Sequence, residues 1–245
     1  MDGRLDDLPD GVRSTLEDFI ATVVRISGAN LKSAILFGSA AEGQLRPTSD
    51  VNVILVFGDV HLPELERLRE HLTFAHAAIG LEVMFLEEAE ISIAAQAFAV
   101  KFTDILSRHR VLYGSDAFAS LKISRAATLN RLRQVLVNLT LRLRERYALI
   151  GGREEQLSLL IADVSGPIRA CAAAILGLED ERFASPKEAL QTLAPRLPGN
   201  NRAELLANMS SARQERGLQP AVADATIGAL LELLGAMYRY ITGWS

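Results

Sequence analysis

A single cysteine, Cys171, among 245 residues excludes an intramolecular disulfide. It lies in the apolar stretch Ala170 to Leu176, which reads as an inert buried thiol and fits a reducing compartment. Histidine is also scarce, with His61, His71, His76 and His109 as the whole complement. His71 and His76 stand five apart on a predicted helix with no cysteine beside them, so a zinc site has no support. The apolar C-terminal stretch is interrupted by Asp224, Glu232 and Arg239, short of the ~18–20 residues that a membrane span requires. The N-terminus, MDGRLDDLPDG, is acidic and has no apolar signal segment. The expectation is a cytoplasmic protein with no membrane partner. A basic excess is missing too: Lys and Arg total 26 against 30 for Asp and Glu, a net charge of −4. That balance gives no electrostatic reason to expect a protein that coats duplex nucleic acid.

What is present is ordinary for a globular chain. Hydrophobic residues make up 49% and charged residues 23%, which argues against disorder. Val12, Leu16, Phe19, Ile20, Val23 and Val24 recur at helical spacing and predict a helix over 10–27. Strands are predicted at 33–37, 51–57, 81–86 and 109–113, with helices at 63–78 and 91–107 between them. The stretch 38–49 is polar and turn-rich, with Gly43 and Pro47 inside it. After about residue 120 the β-rich runs stop. Leu129, Leu132, Leu136, Leu139, Leu143, Tyr147 and Ile150 predict one long amphipathic helix. A second helix runs from about Glu154 to Leu176, with a kink expected at Pro167. Ser185-Pro186-Lys187-Glu188 reads as a capping box. Two further helices are predicted at 201–216 and 220–241. The fold class is therefore α+β: a small mixed-sheet core followed by an all-helical bundle. The boundaries read as an N-terminal helix over 1–28, a core over 29–120 and a bundle over 121–245.

The informative stretch is Leu36-Phe37-Gly38-Ser39, then Ser49-Asp50-Val51-Asn52-Val53-Ile54. It reads as strand, Gly-Ser turn, irregular loop, then an acid at the mouth of a second strand. Side chains alternate faces along a strand, so Asp50 and Asn52 are expected to point the same way and to reach one hard cation. Glycine permits close backbone approach, and the serine hydroxyl with nearby amides suits phosphate oxygens. A Gly-Ser pair alone would equally be a helix cap.

This arrangement resembles the nucleotidyltransferase superfamily whose core is shared with DNA polymerase β. Its signature is Gly-Ser, a spacer, then Asp-x-Asp or Asp-x-Glu on the next strand. Gly38, Ser39 and Asp50 match as they stand, and Ser49 before the acid is common there. Glu82, between Leu81 and Val83, is taken as the third acid. Arg108 to Gly114 is similar to the stretch that closes minimal and antibiotic-modifying members. The whole chain also resembles bacterial nucleotidyltransferase-domain proteins with a helical C-terminal half. The departure is Asn52, which stands where the family has its second metal-binding acid.

The resemblance implies Mg2+ held by Asp50, Asn52 and Glu82, with a nucleoside triphosphate, expected to be ATP, as co-substrate. Gly38, Ser39, Arg46 and Ser49 would meet its phosphates. Asp50 and Glu82 would be the catalytic acids, Glu82 either binding a second metal or taking the proton of an acceptor hydroxyl. A nucleoside monophosphate would pass to that hydroxyl and pyrophosphate would leave. The acceptor is a small molecule or a protein, and the helical half would close its pocket. Because an amide brings no charge, the alternative is a catalytically degenerate member acting as a nucleotide sensor or an antitoxin-like interaction module. The helical half contains no histidine, which removes the Arg-x(4–6)-His motif of HEPN ribonucleases. Homo-oligomerisation is left open.

Charge is divided unevenly along the chain. Residues 1–120 hold 10 basic and 18 acidic residues, and residues 121–245 hold 16 and 12. The long helix carries Arg125, Arg131, Arg133, Arg142, Arg144 and Arg146. These read either as a solvated face whose stems cover apolar surface or as a cationic flank for phosphates.

Overall fold

The computed structural model describes residues 5–43, 45–46, 49–219 and 221–244. Pro47, inside the turn-rich stretch of the sequence reading, and Pro220, the first residue of its last predicted helix, fall outside the described residues. The chain divides into two compact units: Met1–Gln96 with Asp104–Lys122, and Ala97–Thr103 with Ile123–Ser245.

The first unit is built on a four-stranded sheet. Its strands are β1 (Leu31–Phe37), β2 (Val51–Phe57), β3 (Leu81–Glu87) and β4 (His109–Gly114), in the order β3-β2-β1-β4. β1 pairs antiparallel with both β2 and β4, and β2 pairs parallel with β3. The parallel step uses α2 (Leu62–Ile79) as its crossover. α1 (Asp10–Ser27) packs on α2 and β1. Leu16, Phe19, Ile20 and Val23 of α1 share a buried cluster with Val51, Val53, Leu55 and Phe57 of β2. By alternation Asn52, Ile54 and Val56 face the opposite side of the sheet. Leu5 and Leu8 are buried in the same cluster, so the chain is already anchored ahead of α1.

The predicted helix over 91–107 is two helices, α3 (Ile91–Ala97) and α4 (Ala99–Ser107), with a turn at Phe98. No glycine or proline marks the break. It falls where the chain leaves the first unit, after Gln96.

The second unit contains α5 (Arg125–Ile150), α6 (Glu154–Leu178), α7 (Pro186–Leu193), α8 (Arg202–Glu215) and α9 (Val222–Thr242). α6 is its centre and packs against each of the other four. Contrary to the sequence expectation, this helix is long and apolar enough to cross a membrane. Most of that window is buried against neighbouring helices, as the core helix of a bundle must be. It runs through Pro167 unbroken. Cys171 is fully buried on it, and burial pushes its thiol up to about 12. The Ser185 hydroxyl accepts from the Glu188 amide at 3.2 Å. The returning Glu188 carboxylate accepts from Ala184, one residue earlier than a capping box requires.

The arginines of α5 fall into two groups. Arg125 donates to the Leu178 carbonyl and stacks on Trp244, and Arg131 lies over the Phe98 ring. Arg133 reaches the Trp244 carbonyl at 2.6 Å, beyond the C-terminus of α9, where a cation is favourable. Arg142, Arg144 and Arg146 are exposed.

Candidate functional site

The residues singled out in the sequence gather at one end of the β1–β2–β3 part of the sheet. A 3-10 turn over Gly38–Ala40 follows β1 directly. It is closed by Ala41 N–H donating to the Gly38 carbonyl at 3.0 Å. Ser39 therefore sits in a tight turn and not at the N-cap of an α-helix. Its hydroxyl has no hydrogen-bond partner among the described residues, and the residue is half-buried.

Phe37, the last residue of β1, is in register with Asn52 of β2, and Asn52 is in register with Glu82 of β3. In-register neighbours in a sheet point the same way, so Asn52 and Glu82 share a face. Asn52 Nδ2 donates to the Asp50 main-chain carbonyl at 3.2 Å. It also lies 3.9 Å from where a Cβ on Gly38 would stand. This leaves Oδ1, the amide's acceptor atom, free of that bond.

Asp50 stands just ahead of β2, and the expected alternation with Asn52 does not hold for it. The ladder begins one residue later, with Val51 N–H donating to the Gly80 carbonyl at 3.1 Å. Asp50 is thus outside the strand, and strict alternation does not set its direction. Its carboxylate is exposed and lies beside Gly80, where a Cβ would be 3.5 Å from Oδ1. Gly80 ends α2 in the left-handed region, φ +61°, and so permits the immediate turn into β3 that brings Leu81 and Glu82 alongside Val51 and Asn52.

Glu82 is exposed, and its Oε1 is 3.5 Å from His76 Nδ1 in the last turn of α2. The same His76 nitrogen lies 3.0 Å from the Leu81 carbonyl, which requires a proton on Nδ1. His76 was not among the residues selected from sequence. The parallel pairing of β2 with β3, which the sequence does not display, is what brings it to the site.

Two further groups in the loop have no partner among the described residues. Ser49 Oγ is buried and unpaired, although its N–H closes a turn to the Arg46 carbonyl at 2.9 Å. The Arg46 guanidinium has no hydrogen bond or ion pair among the described residues, and burial lowers its pKa from the ordinary value. A partly desolvated cation without a counter-charge is costly, and an anionic ligand offsets that cost.

Among the described residues no cluster of three or more His, Cys, Asp or Glu side chains forms a metal group. The oxygens at hand are the Asp50 carboxylate, Asn52 Oδ1 and the Glu82 carboxylate. An all-oxygen set of this kind fits a hard cation that also takes ligands from phosphate.

A family model described as nucleotidyltransferase domain matches residues 16–110. The fold is similar to that of spectinomycin adenyltransferase AAD(9) from Enterococcus faecialis, solved with ATP and spectinomycin. That likeness has a TM-score of 0.64 at 15% identity and covers 91% of this chain and 99% of that one. A toxin–antitoxin structure with AMP-PNP aligns over 55% of this chain and 94% of its own, at 18% identity and a TM-score of 0.29. No curated protein matches the chain.

Proposed function

We propose, from the nucleotidyltransferase-superfamily domain that this chain carries over residues 16–110, that it transfers a nucleoside monophosphate from ATP to the hydroxyl of a small-molecule acceptor. The observation that carries this reading is the register of Asn52 with Glu82 beside Asp50, next to the Gly38–Ser39 turn. The small-molecule acceptor draws support from the AAD(9) likeness, which extends through the helical half.

Asp50 and Asn52 Oδ1, with Glu82 alongside, are the groups that would hold Mg2+. When bound, that cation supplies charge neutralisation for the triphosphate. Ser39 Oγ and the Gly38 backbone hold the terminal phosphates. The Ser49 hydroxyl and the Arg46 guanidinium, neither with a partner among the described residues, take phosphate oxygens. Glu82 accepts the proton of the acceptor hydroxyl. The hydroxyl oxygen forms a bond to the α-phosphorus, the bond from that phosphorus to the bridging oxygen breaks, and pyrophosphate leaves.

A second reading has its own observation. With an amide at position 52 the site has one fewer negative charge than the family pattern. In this reading the chain binds nucleotide without turnover and acts as a sensor or an antitoxin-like module.

Calorimetry of ATP with and without Mg2+ separates the two, followed by incubation with α-phosphate-labelled ATP and a panel of polyhydroxylated acceptors. Metal-dependent binding with label on an acceptor supports transfer. Metal-independent binding without transfer supports the second reading. No ATP binding removes both.

A further inference from the structure

The first half of the loop between β1 and β2 is held from two sides. Arg108, between α4 and β4, donates Nη1 to Glu42 Oε2 at 2.6 Å. Its Nε and Nη2 form a fork to the two oxygens of Asp104 at 2.8 and 2.7 Å. The three side chains retain only 15–19% of their exposure. Burial by itself lowers the Arg108 pKa, but the hydrogen bonds to Asp104 and the charges of Asp104 and Glu42 outweigh it and hold the guanidinium above its ordinary value.

The next residue, Gly43, is closely approached by the N-terminal segment. A Cβ there would overlap the Asp7 carboxylate. Asp7 is in turn fixed by both terminal nitrogens of Arg110 on β4, at 2.7 and 2.5 Å.

The Asp104–Arg108 pair is local, four residues apart at a helix end. Glu42 is the addition. It lies 66 residues away in sequence and only three residues after Ser39. The Gly38 and Ala40 carbonyls accept from the Ala41 and Gly43 amides, so Glu42 is linked to Ser39 through two overlapping tight turns. Without Arg108, two half-buried carboxylates would face each other with no counter-charge.

We infer that Glu42 and Arg108 form a positioning pair that fixes the Gly38–Ser39 turn in its phosphate-binding arrangement before nucleotide arrives. Neither residue needs to touch the nucleotide. Their effect passes through the backbone of the turn, so the inference rests on the nucleotide-binding reading above.

The test uses the full chain with Glu42→Ala and Asp104→Asn, each followed by MgATP calorimetry and thermal melting. Glu42→Ala is expected to weaken ATP binding about tenfold, the scale of lost outer-shell support. Asp104→Asn keeps the Glu42–Arg108 bond and is expected to bind ATP as the wild type does, whatever its melting temperature. In an Arg108→Gln background, Glu42→Ala is expected to cause no further loss, because its partner is already gone. Wild-type affinity in Glu42→Ala overturns this inference alone. Losses in Glu42→Ala and Asp104→Asn that only track their melting temperatures overturn it as well, since the role is then structural. Failure of the wild type to bind ATP removes the functional reading and this inference with it.

Discussion

Asn52 and Glu82 are register partners on the parallel β2–β3 ladder, so an amide and a carboxylate share one face of the sheet. Asp50 approaches from outside the ladder, its carboxylate beside Gly80. The site therefore offers two acids where three would be expected from its closest sequence pattern. The Asn52 amide spends one donor on the main chain of Asp50.

Asn52→Asp restores the missing charge. Mg2+-dependent ATP binding is expected to tighten about tenfold, roughly 1.4 kcal/mol. The new carboxylate loses the donor to the Asp50 carbonyl and faces that oxygen instead, so the melting temperature should fall without Mg2+ and recover with it. Calorimetry and melting curves with and without the cation check both signs. An unchanged affinity counts against metal placement between Asp50 and position 52.

Gly43→Ala addresses the contact between loop and N-terminal segment. Gly43 has φ +68°, and the added methyl would overlap the Asp7 carboxylate. Asp7 must then move, which breaks its fork to Arg110. A loss of about 1–3 kcal/mol is expected from backbone strain and the broken pair, read from urea unfolding. Gly11→Ala, in a helix with open space around the glycine, serves as the control.

The same pair sets a pH dependence. Hydrogen bonding to Arg110 holds the Asp7 carboxyl below its ordinary value of 3.8. A depressed folded value contributes stability that is fully present above the unfolded value and fades as pH falls through the folded one. The stability difference between wild type and Asp7→Asn is therefore expected in full at neutral pH, to begin to fade at about pH 4 and to vanish only below the depressed folded value. A difference that persists into stronger acid would assign the effect of Asp7→Asn to something other than its charge.

Cys171 provides a probe of the helical unit. With its thiol pushed up to about 12 and no exposed surface, it carries almost no thiolate at pH 8. A soluble thiol reagent is expected to leave the native chain unmodified and to label one site per chain in denaturant. Rapid labelling of native protein would mean that α6 opens.

Much of the fold was legible from local pattern. Val51 to Phe57 is so rich in β-branched and apolar residues, and so clearly ended by Gly58-Asp59, that both strand boundaries were read correctly. Helix α1 was equally plain from its spacing and its glycine stop. The break at Phe98 was not, because Ile91 to Ser107 is continuously compatible with helix and the turn is imposed by tertiary packing. The loop's attachments were hidden for a different reason. Glu42 and Arg108 are distant in sequence, and neither has a local partner pattern that names the other. Asp50 was placed at the mouth of β2, but strand alternation was extended to it; the ladder, which starts at Val51, leaves it outside that rule. The Gly38, Ser39 and Asp50 motif was visible from residue type and spacing, whereas His76 entered through the parallel crossover.

The membership of Ala97–Thr103 in the helical unit has a practical consequence for dissecting this protein. Val100 belongs to the same buried cluster as Leu129 and Leu132, and Phe98 lies under the Arg131 guanidinium. The chain thus enters the helical unit twice. No single cleavage point yields two intact halves: a fragment beginning after Lys122 lacks two of its own packing residues, and a fragment ending there carries them as surplus apolar surface. Separate expression of the halves calls for a graft of the 97–103 segment onto the C-terminal one, joined by a linker, rather than a cut.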